Sequence, residues 1–134
     1  MTVSLAWEGP VGPGNMPLDP QIFERLCETG VYIRLKSYEK GRTIAYAGQS
    51  VSLLARFDQH LTNMLSLATP LRDSTGSVVF TGDPKSRLEA YNQLYSAVNL
   101  AAADVTRVRF WYALCDEYFQ SEHLNLVEGL LQRR

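Results

Sequence analysis

The chain has 134 residues, 46% apolar and 20% charged, an ordinary globular composition on a length that suits one domain and closes a core without disulfides or a structural metal. Thirteen Lys and Arg against fourteen Asp and Glu give a net charge of -1, which excludes polyanion binding driven by overall charge and requires any nucleic-acid contact to use local cations. No apolar run nears the roughly 20 residues that span a bilayer and no charged-then-apolar leader opens the chain, while Cys27 and Cys115 stand apart in apolar contexts; the expectation is a cytoplasmic protein with two buried thiols, no membrane attachment and no structural zinc.

Residues 9–20, GPVGPGNMPLDP, hold three glycines and four prolines, so residues 1–20 read as an arm without regular structure, ahead of a single domain over 21–134. Asp19 and Pro20 supply a cap and a first-turn proline for a short helix with Ile22, Phe23 and Leu26 on its apolar face. From Val31 the period becomes two. Val31, Ile33 and Leu35 alternate with Tyr32, Arg34 and Lys36, a polar turn follows at Glu39-Lys40-Gly41-Arg42, and a second alternating run covers Thr43 to Ala47; this is a hairpin.

Ser50 can cap a helix to about Leu67 with Leu54, Phe57, Leu61 and Leu65 on one stripe. Residues 69–83 are polar and turn-rich, interrupted by Val78-Val79-Phe80. Asp83-Pro84 opens the next helix, whose buried side is read as Leu88, Tyr91, Leu94, Tyr95 and Val98. Residues 105–114 read as a strand with Val108, Phe110, Tyr112 and Leu114 on one face and Arg107, Arg109 and Trp111 on the other. A last helix covers about 117–132.

Three patterns occur in order: Gly30-Val31-Tyr32 opening the first strand of the hairpin, Tyr46-Ala47-Gly48 ending the second, and Arg56 with His60 on the helix that follows. At 100° per residue, Arg56 and His60 project within about 40° of each other beside the apolar stripe. Together these patterns resemble the GIY-YIG nuclease family, closely over residues 28–62 and more loosely over 105–130. The resemblance implies an α/β fold of the α+β type, a small, mostly antiparallel three-stranded sheet flanked by helices, with a loop and helix inserted at about 69–104.

The activity it implies is metal-dependent DNA cleavage. Hydrolysing a phosphodiester needs an oriented water, a proton acceptor, positive charge for the pentacovalent phosphate and a cation on a carboxylate. The resemblance gives Tyr32 the role of activating or orienting water, Arg56 that of contacting phosphate, and a late glutamate that of holding Mg²⁺ or Mn²⁺, with Tyr46 and His60 in support. Among Glu117, Glu122 and Glu128, projection on a continuous final helix puts Glu122 about 80° from the centre of the apolar stripe and the other two beyond about 120°, so Glu122 is the expected ligand. The family's later asparagine would fall at Leu131 to Arg134, where none stands.

Arg34, Lys36, Lys40, Arg42 and Arg56 in and after the hairpin, with Arg107 and Arg109 near Trp111, make the expected basic surface for backbone phosphates, contacts that position without specifying sequence. The partners implied are DNA and, for cutting both strands, a second copy of the chain or a separate targeting domain or protein. The alternative is a nuclease-like fold that binds nucleic acid or protein without cutting.

Overall fold

A computed structural model describes residues 3–13, 19–67, 69–116 and 119–132. The chain divides into two compact units, Met1–Leu35, Ala45–Phe57 and Arg109–Arg134 in the first, Lys36–Ile44 and Asp58–Val108 in the second. Residues 14–18 of the expected arm, Glu117 and the Leu94 side chain lie outside the description.

Elements run in chain order as β1 (Trp7–Val11), α1 (Pro20–Arg25), β2 (Gly30–Ser37), a 3-10 turn (Glu39–Gly41), β3 (Thr43–Ser50), α2 (Leu53–Leu65), β4 (Leu71–Arg72), β5 (Val78–Phe80), α3 (Pro84–Asn92), α4 (Leu94–Val105), β6 (Val108–Leu114), a second 3-10 turn (Ser121–His123) and α5 (Leu124–Gln132). The main sheet is antiparallel, in the order β1-β6-β2-β3.

Four strands stand where three were expected, because part of the Gly/Pro-rich arm is a strand. β1 pairs antiparallel with β6, Trp7 opposite Ala113 and Val11 opposite Phe110, with a register shift between Glu8 and Val11. Pro10 falls inside that shift on an edge strand, where no ladder N–H is required of it. Arg25 holds β1 to α1 through a fork of Nη2 contacts to Glu8, 3.0 and 3.1 Å to the two carboxylate oxygens.

The first unit packs apolar side chains on both faces of the sheet. On the Tyr32 face, Phe57 of α2 stacks on Phe110 with ring centroids 4.0 Å apart and meets Tyr32 edge-on at 5.8 Å, geometries worth about 0.5–1.5 kcal/mol each beyond burial. On the other face Val31 and Ala113 pack with Phe119, Leu124 and Val127. Phe119 is fully buried but precedes the helix; Asp116 fixes its loop, accepting from the Phe119 N–H at 2.9 Å. The two thiols are less enclosed than expected: Cys27 is exposed at the end of a short helix and Cys115 is half-buried.

In the second unit the turn-rich segment forms the β4–β5 hairpin. Asp73 Oδ1 closes it by accepting from Thr75 N at 2.9 Å, Ser77 N at 3.2 Å and Thr75 Oγ1 at 2.6 Å, the side-chain mimicry of backbone that favours Asp in turns. The helix expected after Asp83 is two helices, broken at Gln93 (φ -117°, ψ 42°). Its buried side is also different. Ala90, Ala97 and Ala101 pack with Leu67, Leu71 and Phe80, whereas Leu88, Tyr91, Tyr95 and Val98 are exposed; small side chains admit the close backbone approach.

Candidate functional site

Both glycines of the two tripeptides are fixed by close approach. A Cβ at Gly30 would lie 2.4 Å from the Ala113 carbonyl oxygen, and one at Gly48 would lie 2.6 Å from the Tyr32 hydroxyl oxygen and 2.7 Å from Cζ. Neither distance is tolerable for carbon. Gly48 therefore leaves on β3 the space that the Tyr32 ring occupies from β2, and the two motifs make one structural device.

Around that device the first unit gathers charge. Tyr32 is 1% exposed and Tyr46 45%, their ring centroids 6.3 Å apart, and the Arg34 guanidinium carbon lies 5.5 Å from the Tyr46 ring centre, a cation–π contact worth about 0.5–1 kcal/mol at an exposed site. Burial pushes the Tyr32 phenol up to about 12, with Tyr46 and Glu128 acting in the same direction; Arg56 and Arg34 oppose them. Ring and cation–π contacts thus join Tyr32, Tyr46 and Arg34 across β2 and β3, and the charges of Arg56 on α2 and, least of all, Glu128 on α5 reach the same phenol.

Glu128 is held there through Gln132, one turn later on α5. The Gln132 amide nitrogen donates to Glu128 Oε1 at 3.1 Å and to the Ala47 carbonyl at 2.9 Å, so the middle residue of Tyr-Ala-Gly anchors the helix that carries the carboxylate. Gln49 Nε2 adds a second tie from β3, donating to Asn125 Oδ1 at 2.6 Å.

Glu122, the expected metal ligand, is placed elsewhere. It lies in the 3-10 turn before α5, with 72% of its side chain exposed, and pairs with His123 Nε2 at 3.7 Å. The helical projection that favoured it presumed a helix running from about 117, whereas α5 begins at Leu124. His60 is half-buried one turn beyond Arg56, on the part of α2 that belongs to the second unit.

Two members of the expected basic surface are structural instead. In the second unit Lys36 is 4% exposed and its Nζ lies 3.0 Å from Asp104 Oδ2. Tyr38 donates to Asp104 Oδ1 at 2.6 Å, while Arg107 pairs with that oxygen at 3.5 Å and stacks over Tyr38 at 5.3 Å. Burial and the Asp104 hydrogen bond hold the Tyr38 phenol well above its usual range. A fully buried carboxylate needs such partners, and that demand withdraws Lys36 and Arg107 from solvent. Arg42 is exposed and Arg34, Arg56 and Arg109 are half-buried.

Among the described residues no three His, Cys, Asp or Glu side chains converge as a metal cage. No protein-family model matches the chain, and searches of curated proteins and of solved structures return no match.

Proposed function

We propose that the protein is a metal-dependent DNA endonuclease of the GIY-YIG kind, with Glu128 in the role of metal-holding carboxylate. The observation that supports this reading is the seating of Tyr32 on Gly48 with Arg34, Arg56 and Glu128 acting on the same phenol. Chemically, hydrolysis joins a water oxygen to phosphorus and releases one ester oxygen, passing through a phosphorane with extra negative charge. Arg56 and Arg34 supply fixed positive charge for that state, without reorganisation at the moment of reaction.

Tyr32 with a pKa of about 12 is phenolate in only about one molecule in 10⁵ at neutral pH. Its role is therefore to orient water or phosphate as a neutral hydroxyl, not to remove a proton by itself. Tyr46 backs Arg34 and faces solvent. Gln132 orients the Glu128 carboxylate. When bound, a divalent ion supplies Lewis-acid charge at the phosphate and acidifies water.

One observation favours a second reading. At 1% exposure Tyr32 is enclosed, which suits a module that binds nucleic acid without cutting it. Supercoiled-plasmid nicking with Mg²⁺ or Mn²⁺ separates the two, run beside an EDTA control and Glu128→Gln. Metal-dependent nicking lost in the variant supports the endonuclease; gel retardation with no cutting of duplex, branched or single-stranded DNA supports the binding module.

A further inference from the structure

The first unit carries a cavity of about 570 Å³ lined chiefly by Trp7, Ile33, Leu35 and Trp111, with Tyr46 and Gln132 also contributing. Ile33 and Leu35 alternate with Tyr32 and Arg34 along β2, so the cavity opens on the sheet face opposite the Tyr32 ring. Tyr46 and Gln132 belong to both places: the ring of one lies tilted against Tyr32 at 6.3 Å, and the other hydrogen-bonds Glu128. β3, which carries Tyr46, is the edge strand of the sheet. The border between cavity and cluster is therefore a sheet edge over which an extended chain can pass.

We propose that this cavity takes an unpaired nucleobase from a strand whose backbone crosses β3 to the Tyr32 cluster. The inference rests on the nucleic-acid reading of that cluster and names its substrate class: nucleic acid with a single-stranded or splayed nucleotide beside the cut. Three features select a base over an aliphatic ligand. Two indole rings line the cavity, and stacking on aromatic faces is how bases bind without sequence readout. A carboxamide, Gln132, stands at the border; its two N–H groups are engaged by Ala47 and Glu128, and its carbonyl oxygen is of the kind that accepts from the N–H of a base edge. Cations flank the cavity as a phosphate backbone requires: Arg34 sits over Tyr46, and Arg109 lies two residues from Trp111 on the same face of β6. The volume falls in the range of pockets that enclose small organic ligands, about 300–1,000 Å³, which leaves room for a base with its sugar.

Trp7 and Trp111 are the chain's only tryptophans, so the protein reports its own occupancy. The experiment titrates a short single-stranded oligothymidylate, and the same backbone with abasic sites, into the full chain in EDTA, where cutting cannot intervene. Tryptophan emission and the anisotropy of a labelled strand are both followed. The expected result is emission quenched by the intact strand and binding about ten-fold weaker for the abasic strand. Trp111→Ala should weaken intact-strand binding about ten-fold and leave abasic binding unchanged, whereas Trp111→Phe, which keeps an aromatic face, restores it. Should Trp111→Ala fail to fold by circular dichroism, Trp7→Ala on the outer strand makes the same comparison.

Equal affinity for intact and abasic strands overturns the proposal, as does quenching by an aliphatic peptide or by self-association without any response to the oligonucleotide. The two readings fail separately. Plasmid nicking without base-dependent quenching removes the base pocket and keeps the endonuclease; base-dependent quenching without nicking keeps the pocket and removes the endonuclease.

Discussion

Gly48 leaves the space that the Tyr32 ring fills: the position of a β-carbon at 48 falls 2.6 Å from the tyrosine hydroxyl oxygen. Gly48→Ala must therefore displace the phenol or the strand. The expected loss is about 1–3 kcal/mol of stability, the usual cost of overpacking, with cleavage lost as well. Urea denaturation and plasmid nicking measure the two effects. Full stability in the variant would mean the ring moves freely, and the site would then lack the rigidity assigned to it.

Glu128 and Glu122 make a matched pair of tests, one carboxylate in the middle of α5 and the other in the 3-10 turn before it. Glu128→Gln should lower cleavage at least about 100-fold, the scale on which one preorganised electrostatic group acts, while Glu122→Gln leaves it unchanged. The reverse order would return the metal to the exposed turn.

Arg56→Ala should likewise reduce the nicking rate about 100-fold or more with little change in melting temperature, since Arg56 is half-buried on α2 and is not one of the rings of the apolar stack. A melting temperature that falls with the activity would assign Arg56 to the fold instead.

The buried tyrosines set the alkaline limit of stability. Burial raises the Tyr32 phenol to about 12 and raises Tyr38 and Tyr112 as well. A folded pKa above the unfolded one means that the native state holds its proton more tightly, so the contribution is complete below the unfolded value near 10 and is lost as pH rises through the folded value. The melting temperature should fall above about pH 10, and Tyr32→Phe should make that fall shallower. Cleavage itself should show no titration of Tyr32 at neutral pH.

In the second unit, removing Asp104 takes from the buried Lys36 its ion-pair partner. Asp104→Leu alone should cost about 3–5 kcal/mol, and adding Lys36→Met should recover much of the loss, as an apolar replacement of a buried pair commonly does. Guanidinium unfolding of the single and double variants reads the coupling. Strict additivity would show that Arg107 and Tyr38, not Lys36, are what Asp104 requires.

Local chemistry made some of this legible in the chain and long-range packing concealed the rest. The hairpin follows from strict alternation across Tyr32 and Tyr46, and the glycines at 30 and 48 mark close approaches that the structure explains with specific atoms. The four-stranded sheet was hidden by Pro10, a breaker everywhere except at an edge or a bulge, which is where it sits. Projection on the final helix misplaced its carboxylates because the helix starts at Leu124 and not at 117, and because Leu124 and Val127 face the core while Leu126 and Leu130, taken as its apolar stripe, are exposed. Alanines 90, 97 and 101 concealed the core of the second unit, since a small side chain gives a weak apolar signal and a tight contact. Lys36 looked like a surface cation because nothing near it in sequence announces Asp104.

The pairing of β1 with β6 joins segments about a hundred residues apart, Trp7 against Ala113, and such contacts are costly to close because the intervening chain must be ordered first. During synthesis β2 and β3 can meet as soon as they emerge, but Glu128 and the β6 strand arrive far later. The nascent chain thus presents its tyrosines and arginines without the carboxylate that completes the cluster. The sheet is therefore completed only once β6 has been made and can pair with β1.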